Sequence, residues 1–384
     1  MLFIIFILIA MTKRQKILFV FGTRPEAIKL APLISIFDKN NKFKTIVCTT
    51  GQHKEMLKQV IDFFKIKVDY DLKLMKKNQT LNSLSSKIIK SVDKIILKEN
   101  PSYVFVHGDT STTAFASIAS FHNQIKICHV EAGLRTYNKF SPFPEEINRT
   151  ITGKLADYHF APTKEAMNNL IKENVDRKNI SVTGNTVIDA LDYSKKIVNN
   201  YKNQEINSLK KILNKSKKII LVTGHRRENF GKGFEDICDA LLSISKEKNV
   251  EIVYPVHLNP NVKDLVNEKL GGASNIHLTD PLNYPAFMWM MSKSYLILTD
   301  SGGIQEEAPS FHIPALVMRN TTERPEGIEK NTAILVGTDK DKIISTTKKF
   351  LYDENFYKSY IQKENPYGDG KASEKIINFI IKNG

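Results

Sequence analysis

Residues 106–120, VHGDTSTTAFASIAS, and 129–149, HVEAGLRTYNKFSPFPEEINR, decide how this chain is read. Carboxylates recur there beside glycine and proline, directly after apolar runs. Asp109, Glu131 and Glu145 are therefore placed rather than scattered. VFVHG and IKICHV have the composition of strands, and in a parallel α/β sheet the side chains just past the carboxyl ends of strands converge on one crevice. Three acids facing one crevice point to acid/base chemistry.

The same unit repeats on either side. KILFVFG is an apolar β-rich run, GTRPE a turn, and AIKLAPLISIFDK a helical pattern with apolar positions at Ile28, Ala31, Leu33 and Ile34. FKTIVCTTGQH, SYVFVHGDT, QIKICHVEAG and ADYHFAPT follow, each a strand, a polar loop and a helix-period segment. Such alternation means a parallel sheet flanked by helices. After residue 195 the chain turns polar and lysine-rich, and a second series begins with KIILVTGH, EIVYPVH, NIHLTD, YLILTDSGG and PALVM. The expectation is an α/β chain of two Rossmann-like, doubly wound domains: 11–195, a linker region at 196–217, and 218–359. No GxGxxG follows a strand, and GKG at 231–233 lacks the rest of a P-loop, so neither a dinucleotide fingerprint nor a Walker cradle is present.

The 384 residues are 41% hydrophobic and 25% charged, an ordinary composition with room for two domains. The net charge of +15 is spread along the chain with no basic run carrying interleaved aromatics, so a solvated lysine surface explains it better than nucleic acid. Cys48, Cys128 and Cys238 have no paired spacing for zinc or redox chemistry and read as buried thiols in a reducing, cytoplasmic setting. The first eleven residues, MLFIIFILIAM, are apolar. Their positive charge follows the apolar run instead of preceding it, and the run is well short of the roughly 20 residues a spanning helix needs. Residues 1–10 are read as a doubtful extension, from an upstream start codon or an artefact, and membrane contact is not expected.

Only nine of the 56 basic Lys and Arg residues are Arg, and seven lie in glycine- or carboxylate-bearing motifs: Arg24, Arg135, Arg149, Arg226, Arg227, Arg319 and Arg324. A guanidinium offers forked donors that match phosphate or carboxylate, so this distribution points to an anionic ligand. The plainer alternative is pairing with Glu26, Glu145, Glu228 and Glu323 nearby. In TDSGGIQEEAPS, Ser301, Gly302 and Gly303 separate a strand from a helix expected to open at Ile304. Unobstructed backbone N–H groups at such a turn suit a phosphate, and Glu306 or Glu307 suits ribose hydroxyls. A plain tight turn with an acid pair is the competing reading.

Together these segments resemble the bacterial non-hydrolysing UDP-N-acetylglucosamine 2-epimerases. The resemblance is carried by FGTRPEAIKLAPLI, TGQHKEML, VHGDT, HVEAGLRT, SPFPEEINR, VTGNTVIDAL, VTGHRREN, YPVHLNPNV, TDSGGIQEEAPS and VMRNTTERPEG, in order from about Lys16 to Asp339. It implies the two-domain fold shared with GT-B glycosyltransferases, with substrate in the interdomain cleft and the C-terminal helix, 360–384, packed back on the first domain. It implies interconversion of UDP-N-acetylglucosamine and UDP-N-acetylmannosamine through loss and re-addition of UDP and a 2-acetamidoglucal, feeding cell-surface polysaccharide synthesis. No cofactor and no metal is implied, and a homodimer is.

By motif position, the resemblance makes Asp109, Glu131, Glu145 and His225 catalytic. It gives Arg24, Lys29, Ser301, Gly302, Gly303, Glu307 and Arg324 to the UDP part, and Arg149 to the departing diphosphate together with His225. Gln52 and His257 stand in motifs associated with activation by substrate at a second pocket. Quieter readings stand beside these: Asp109 as a helix cap, one of Glu145 and Glu146 as a dipole partner, and the histidines as buried core residues. A hydrolysing 2-epimerase, releasing UDP and N-acetylmannosamine, and a GT-B glycosyltransferase are the alternatives. Both fit the continuous motif set less well.

Overall fold

The computed structural model describes residues 14–383 apart from 52, 53, 77, 215, 225, 227, 228 and 323. The apolar run 1–10 and the expected site residues Gln52 and His225 lie outside the described residues. The chain divides into two compact units, one holding the residues up to Ala190 and from Gly368 onward, the other Leu191–Tyr367.

The first unit is built on seven parallel strands: β1 (Gln15–Phe21), β2 (Phe43–Thr49), β3 (Tyr70–Asp71), β4 (Tyr103–His107), β5 (Lys126–Val130), β6 (Tyr158–Ala161) and β7 (Ile180–Val182). Their order is β3-β2-β1-β4-β5-β6-β7, so the winding direction reverses between β1 and β4. The central strands are buried almost throughout, as continuous apolar runs in a sheet covered on both faces must be. On one face Phe105 stacks on Phe19 at 5.0 Å between ring centres and lies parallel to Phe160 at 6.2 Å. The last helix, Ala372–Asn383, belongs to this unit. Phe379 meets Tyr158 and Phe160 edge-on, at 5.3 and 5.5 Å, and the buried Asp189 carboxylate accepts from the Ala372 and Ser373 N–H groups at 3.2 and 2.7 Å.

The second unit has six parallel strands: β8 (Lys218–Thr223), β9 (Val250–Pro255), β10 (Ile276–Thr279), β11 (Leu296–Thr299), β12 (Ala315–Val317) and β13 (Ala333–Leu335). Their order, β10-β9-β8-β11-β12-β13, repeats the same reversal, here between β8 and β11. Its core joins Val222, Tyr254, Leu298 and Met318 to Phe234, Leu241 and Phe350. Lys218–Tyr352 is closed off by the helix Glu354–Ile361, whose Tyr357 ring stacks on Tyr295 at 4.1 Å.

Two expectations differ from what is found. The polar stretch 196–217 contains a capped helix, Gln204–Ile212, with Ile206 and Leu209 buried, and the units part earlier, after Ala190. Two buried apolar residues one turn apart suffice to seat a short helix that is otherwise mostly polar. Likewise the return to the first unit begins at Gly368 rather than 360, because Tyr367 donates its hydroxyl to the Arg324 carbonyl and receives the Gly327 N–H within the second unit. Among the described residues no helix is long and apolar enough to cross a membrane.

Candidate active site

In an open parallel sheet, side chains and loops collect beyond the carboxyl ends of the strands that flank the reversal. In the first unit those strands are β1 and β4. The loop after β1 enters the helix Arg24–Asp38 through a capping box: Thr23 accepts from the Glu26 N–H, and Glu26 Oε2 accepts from the Thr23 N–H at 2.7 Å. Glu26 also receives the Gly22 N–H at 3.0 Å and the Thr110 hydroxyl at 2.7 Å, the latter from the loop after β4. It is 2% exposed, and burial raises its pKa although these hydrogen bonds pull it down. Glu26 thus binds backbone and threonine, not an arginine; it staples the two loops of the reversal point together.

The loop after β4 turns through Gly108, at φ +67°, into Asp109 and Thr110. Thr110, not Asp109, caps the helix Ser111–His122 by accepting the Thr113 N–H. Asp109 is free of that structural duty and turns to Arg149, with which it forms an ion pair. Burial raises the Asp109 pKa, Arg149 opposes it, and the charges of Glu131 and Glu145 raise it further. Glu131 and Glu145 therefore both stand within electrostatic reach of Asp109.

Glu131, directly after β5, adopts φ +61°, a left-handed conformation that a residue with a Cβ takes up at a cost on the order of 1 kcal/mol or more. Its Oε2 is ion-paired with Lys29 and lies 3.7 Å from His107 Nε2. Lys29, expected at the UDP part, is here placed against an acid. Two residues on, Gly133 is at φ +90°, and a Cβ there would stand 2.1 Å from the Ala166 carbonyl oxygen, so only glycine lets the chain pass.

Glu145 and Glu146 open the helix Glu145–Leu155. Glu146 is the structural member of the pair: it is 3% exposed, accepts from the Thr136 and Tyr137 N–H groups at 3.0 and 2.8 Å, and lies 3.3 Å from Arg149. Glu145, half-buried one position earlier, carries no such load among the described residues. Arg149 is then the hinge between Glu146 and Asp109. Arg135 is not a ligand candidate, since its Nε and Nη2 grip Glu173 at 2.7 and 2.8 Å with the side chain almost wholly buried. Arg24 sits half-buried in the first turn after β1.

In the second unit the matching loops follow β8 and β11. Asp300, fully buried after β11, accepts the Arg226 N–H at 2.8 Å and lies 3.4 Å from Asn229 Nδ2, both from the loop after β8. Sequence reading passed over Asp300; the signal was the DSGG run itself. The helix that follows opens at Gly302, two residues earlier than expected, with Ser301 as its cap residue, so Gly302 and Gly303 lie inside its first turn. The Arg324 guanidinium lies over this turn: a Cβ on Gly302 would stand 3.5 Å from Arg324 Cζ. Arg324 Nε donates to Glu306 at 2.7 Å, so Glu306 orients the arginine, and Glu307 is half-buried beside it. Gly303 is exposed and Ser301 half-buried. His257 is exposed, with Nδ1 accepting the Asn259 N–H at 3.1 Å.

Three histidines of the first unit, His107, His129 and His159, are buried on β4, β5 and β6. His129 Nε2 and the Gly108 carbonyl are 2.8 Å apart, and burial lowers the pKa of His107 to about 4, of His129 to about 3 and of His159 to about 4. All three are neutral near pH 7. A cavity of about 520 Å³ lined by Thr49, Leu57, Asp71 and Lys73 lies to the β2–β3 side of this unit and includes none of the acids.

A family model described as UDP-N-acetylglucosamine 2-epimerase matches residues 36–381. The chain is 54% identical over 371 residues to the UDP-N-acetylglucosamine 2-epimerase of Salmonella borreze, across 96% of this chain and 98% of that protein. It is 52% identical over 374 residues to that of Campylobacter jejuni, with 96% and 98% covered. The crystal structure of UDP-GlcNAc 2-epimerase from Neisseria meningitidis bound to UDP-GlcNAc is similar at a TM-score of 0.83 and 46% identity, over 96% of this chain and 100% of that one. The two-domain parallel α/β, GT-B-like fold expected from the sequence is shared with it.

Proposed function

The chain belongs to the UDP-N-acetylglucosamine 2-epimerase family, and from that premise we propose that it interconverts UDP-N-acetylglucosamine and UDP-N-acetylmannosamine without net hydrolysis. The observation that carries this reading is the convergence of Asp109, Glu131 and Glu145 beyond β4 and β5, with Lys29 and Arg149 paired to two of them.

The hydrogen at C2 of the sugar is not next to a carbonyl, so its simple removal would leave an unstabilised carbanion. Elimination avoids that. A carboxylate takes the C2 proton, the C2–H electron pair forms the C1=C2 bond, and the C1–O bond breaks with its electrons leaving on UDP. The products are a 2-acetamidoglucal and UDP. Re-addition returns UDP to C1 while a proton arrives at C2 from the opposite face. Proton handling on two faces of one carbon needs more than one carboxyl group, which accounts for an acid set instead of a single base. Glu131, ion-paired with Lys29, suits a base. Asp109, pushed toward its neutral form by burial and by two neighbouring acids, suits a proton donor.

The departing diphosphate calls for cationic groups and hydrogen-bond donors. Arg24, Arg149 and, by its motif, His225 are assigned to it from the residues after β1, β5 and β8. Ser301, Gly302 and Gly303 supply backbone N–H groups, Arg324 lies over them, and Glu307 takes the ribose hydroxyls. Proton NMR of the purified protein with UDP-N-acetylglucosamine in D₂O tests the whole reading. UDP-N-acetylmannosamine carrying deuterium at C2 is expected. Accumulation of UDP with free N-acetylmannosamine would place the chain with the hydrolysing enzymes, and unchanged substrate would send the assignment to a transferase.

A further inference from the structure

One buried polar group faces the reacting acids without a hydrogen-bond partner among the described residues: Nε2 of His107, whose side chain is 4% exposed. It stands 3.7 Å from Glu131 Oε2. An unsatisfied buried nitrogen is unfavourable and is retained chiefly where function uses it. The ring is confined. His107 is the last residue of β4, between β1 and β5, and its carbonyl accepts the Thr113 hydroxyl at 2.5 Å. Glu131 is equally confined by its left-handed backbone. Two such groups 3.7 Å apart are one small side-chain rotation from contact.

In the elimination derived above, Glu131 takes up a proton in one half-reaction and gives it up in the other. Lys29 is a good partner for the ionised carboxylate and a poor one for the neutral acid, because most of the strength of that bond comes from the carboxylate charge. Once protonated, Glu131 needs an acceptor for its new O–H. A neutral imidazole has one acceptor nitrogen and adds no charge that would drive the proton off again. Burial, aided by the Lys29 charge and opposed by Glu131, keeps the His107 ring in that neutral form.

We propose that His107 is a positioning residue for Glu131, its Nε2 accepting the hydrogen bond of the protonated carboxyl and keeping that group aimed at C2 while Lys29 holds it only in the ionised state. This inference rests on the epimerase reading.

Three substitutions test it. His107→Phe keeps the ring volume without an acceptor, His107→Asn carries an amide too short to reach Oε2, and His107→Gln places an amide oxygen near the Nε2 position. In steady-state epimerisation, kcat of the Phe and Asn variants is expected to fall about 10- to 100-fold, the size of effect seen when a reacting group is misplaced by an ångström. KM for UDP-N-acetylglucosamine should stay within about twofold, and the Gln variant should recover most of kcat. A Phe variant within about twofold of wild-type kcat overturns the proposal, as does a Gln variant as slow as Asn. If the Phe variant fails to fold, the contrast between Asn and Gln decides alone. An inactive wild-type protein would instead overturn the epimerase reading beneath it.

Discussion

The two reversal points of this molecule share a plan and differ in what is built on it. In the first unit Glu26, rooted after β1, accepts hydrogen bonds from its own loop and from Thr110 after β4. In the second, Asp300, rooted after β11, accepts the Arg226 N–H of the loop after β8. Each is a buried carboxylate that draws together the two loops flanking the reversal, one placed on the early strand and the other on the late one. A carboxylate suits this work because its oxygens have room for several donors at once. Above that staple the units diverge. The first carries Asp109, whose pKa Glu131 and Glu145 raise, with Arg149 paired to Asp109 and Lys29 to Glu131; the second carries glycine, serine and an arginine already turned by Glu306. Strand order therefore fixes where a site can form, and the residues one layer further out set its chemistry: acids paired with cations in the first unit, backbone N–H groups beside an arginine in the second.

If that division of labour holds, substitutions in the two units should fail differently. Glu131→Gln and Asp109→Asn should each reduce turnover by about 10²-fold or more while leaving UDP affinity nearly unchanged, as measured by steady-state kinetics and by calorimetry with UDP. Loss of UDP binding in either would break the comparison.

The next largest effect concerns pH. His107, His129 and His159 all belong to the first unit and are held neutral by burial, with pKa values of about 4, 3 and 4 against 6.5 when unfolded. Between those values the unfolded chain binds more protons than the folded one, so their contribution to stability is present above pH 6.5 and is lost on acidification toward 4. The slope is roughly 1.4 kcal/mol per pH unit for each histidine. Glu26, Asp109 and Asp189 have raised pKa values, so their contribution runs the other way: it is present at low pH and is lost as pH rises through the raised values. The histidines taken alone are expected to cost a few kcal/mol of stability from pH 6.5 to 5, a loss the carboxyls offset in part. Hydrogen exchange at the two pH values should show β4, β5 and β6 losing protection; equal loss in β8, β9 and β11 would count against it.

Arg324→Ala should weaken UDP binding about 10- to 100-fold, the usual range for a charged hydrogen bond, and leave the pH profile of turnover unaltered. The smallest effect is expected at Gly302→Ala. The added Cβ would meet Arg324 only at ordinary contact distance, 3.5 Å, and the backbone there needs no left-handed conformation. Its melting temperature should correspond to a change within about 0.5 kcal/mol. A large loss would show that this turn is tighter than the acid-bearing turn at Gly133.

Much of this was legible before folding. The runs KILFVFG, VFVHG, IKICHV, KIILVT and YLILTD became β1, β4, β5, β8 and β11, because strands buried on both faces are written as unbroken apolar stretches. β3, β7 and β13 were missed; they are two or three residues long, too short for any periodicity to register. That Thr110 and not Asp109 caps its helix, and that Glu146 and not Glu145 carries the backbone load, was undecidable from type and spacing, since neighbouring residues had equal claims.

The sequence alone determined two parallel α/β units, the acids and glycines that follow their strands, and membership of a family. Tertiary structure alone decided which groups touch. Lys29 meets Glu131 from 102 positions away, Thr110 meets Glu26 from 84, and Arg149 meets Asp109 from 40. Strand and helix patterns are local, repeating every two or 3.6 residues, so they survive in the linear text. Ion pairs depend on which strand lies beside which, and in these sheets the neighbours β1 and β4, or β8 and β11, are separated by two other strands along the chain.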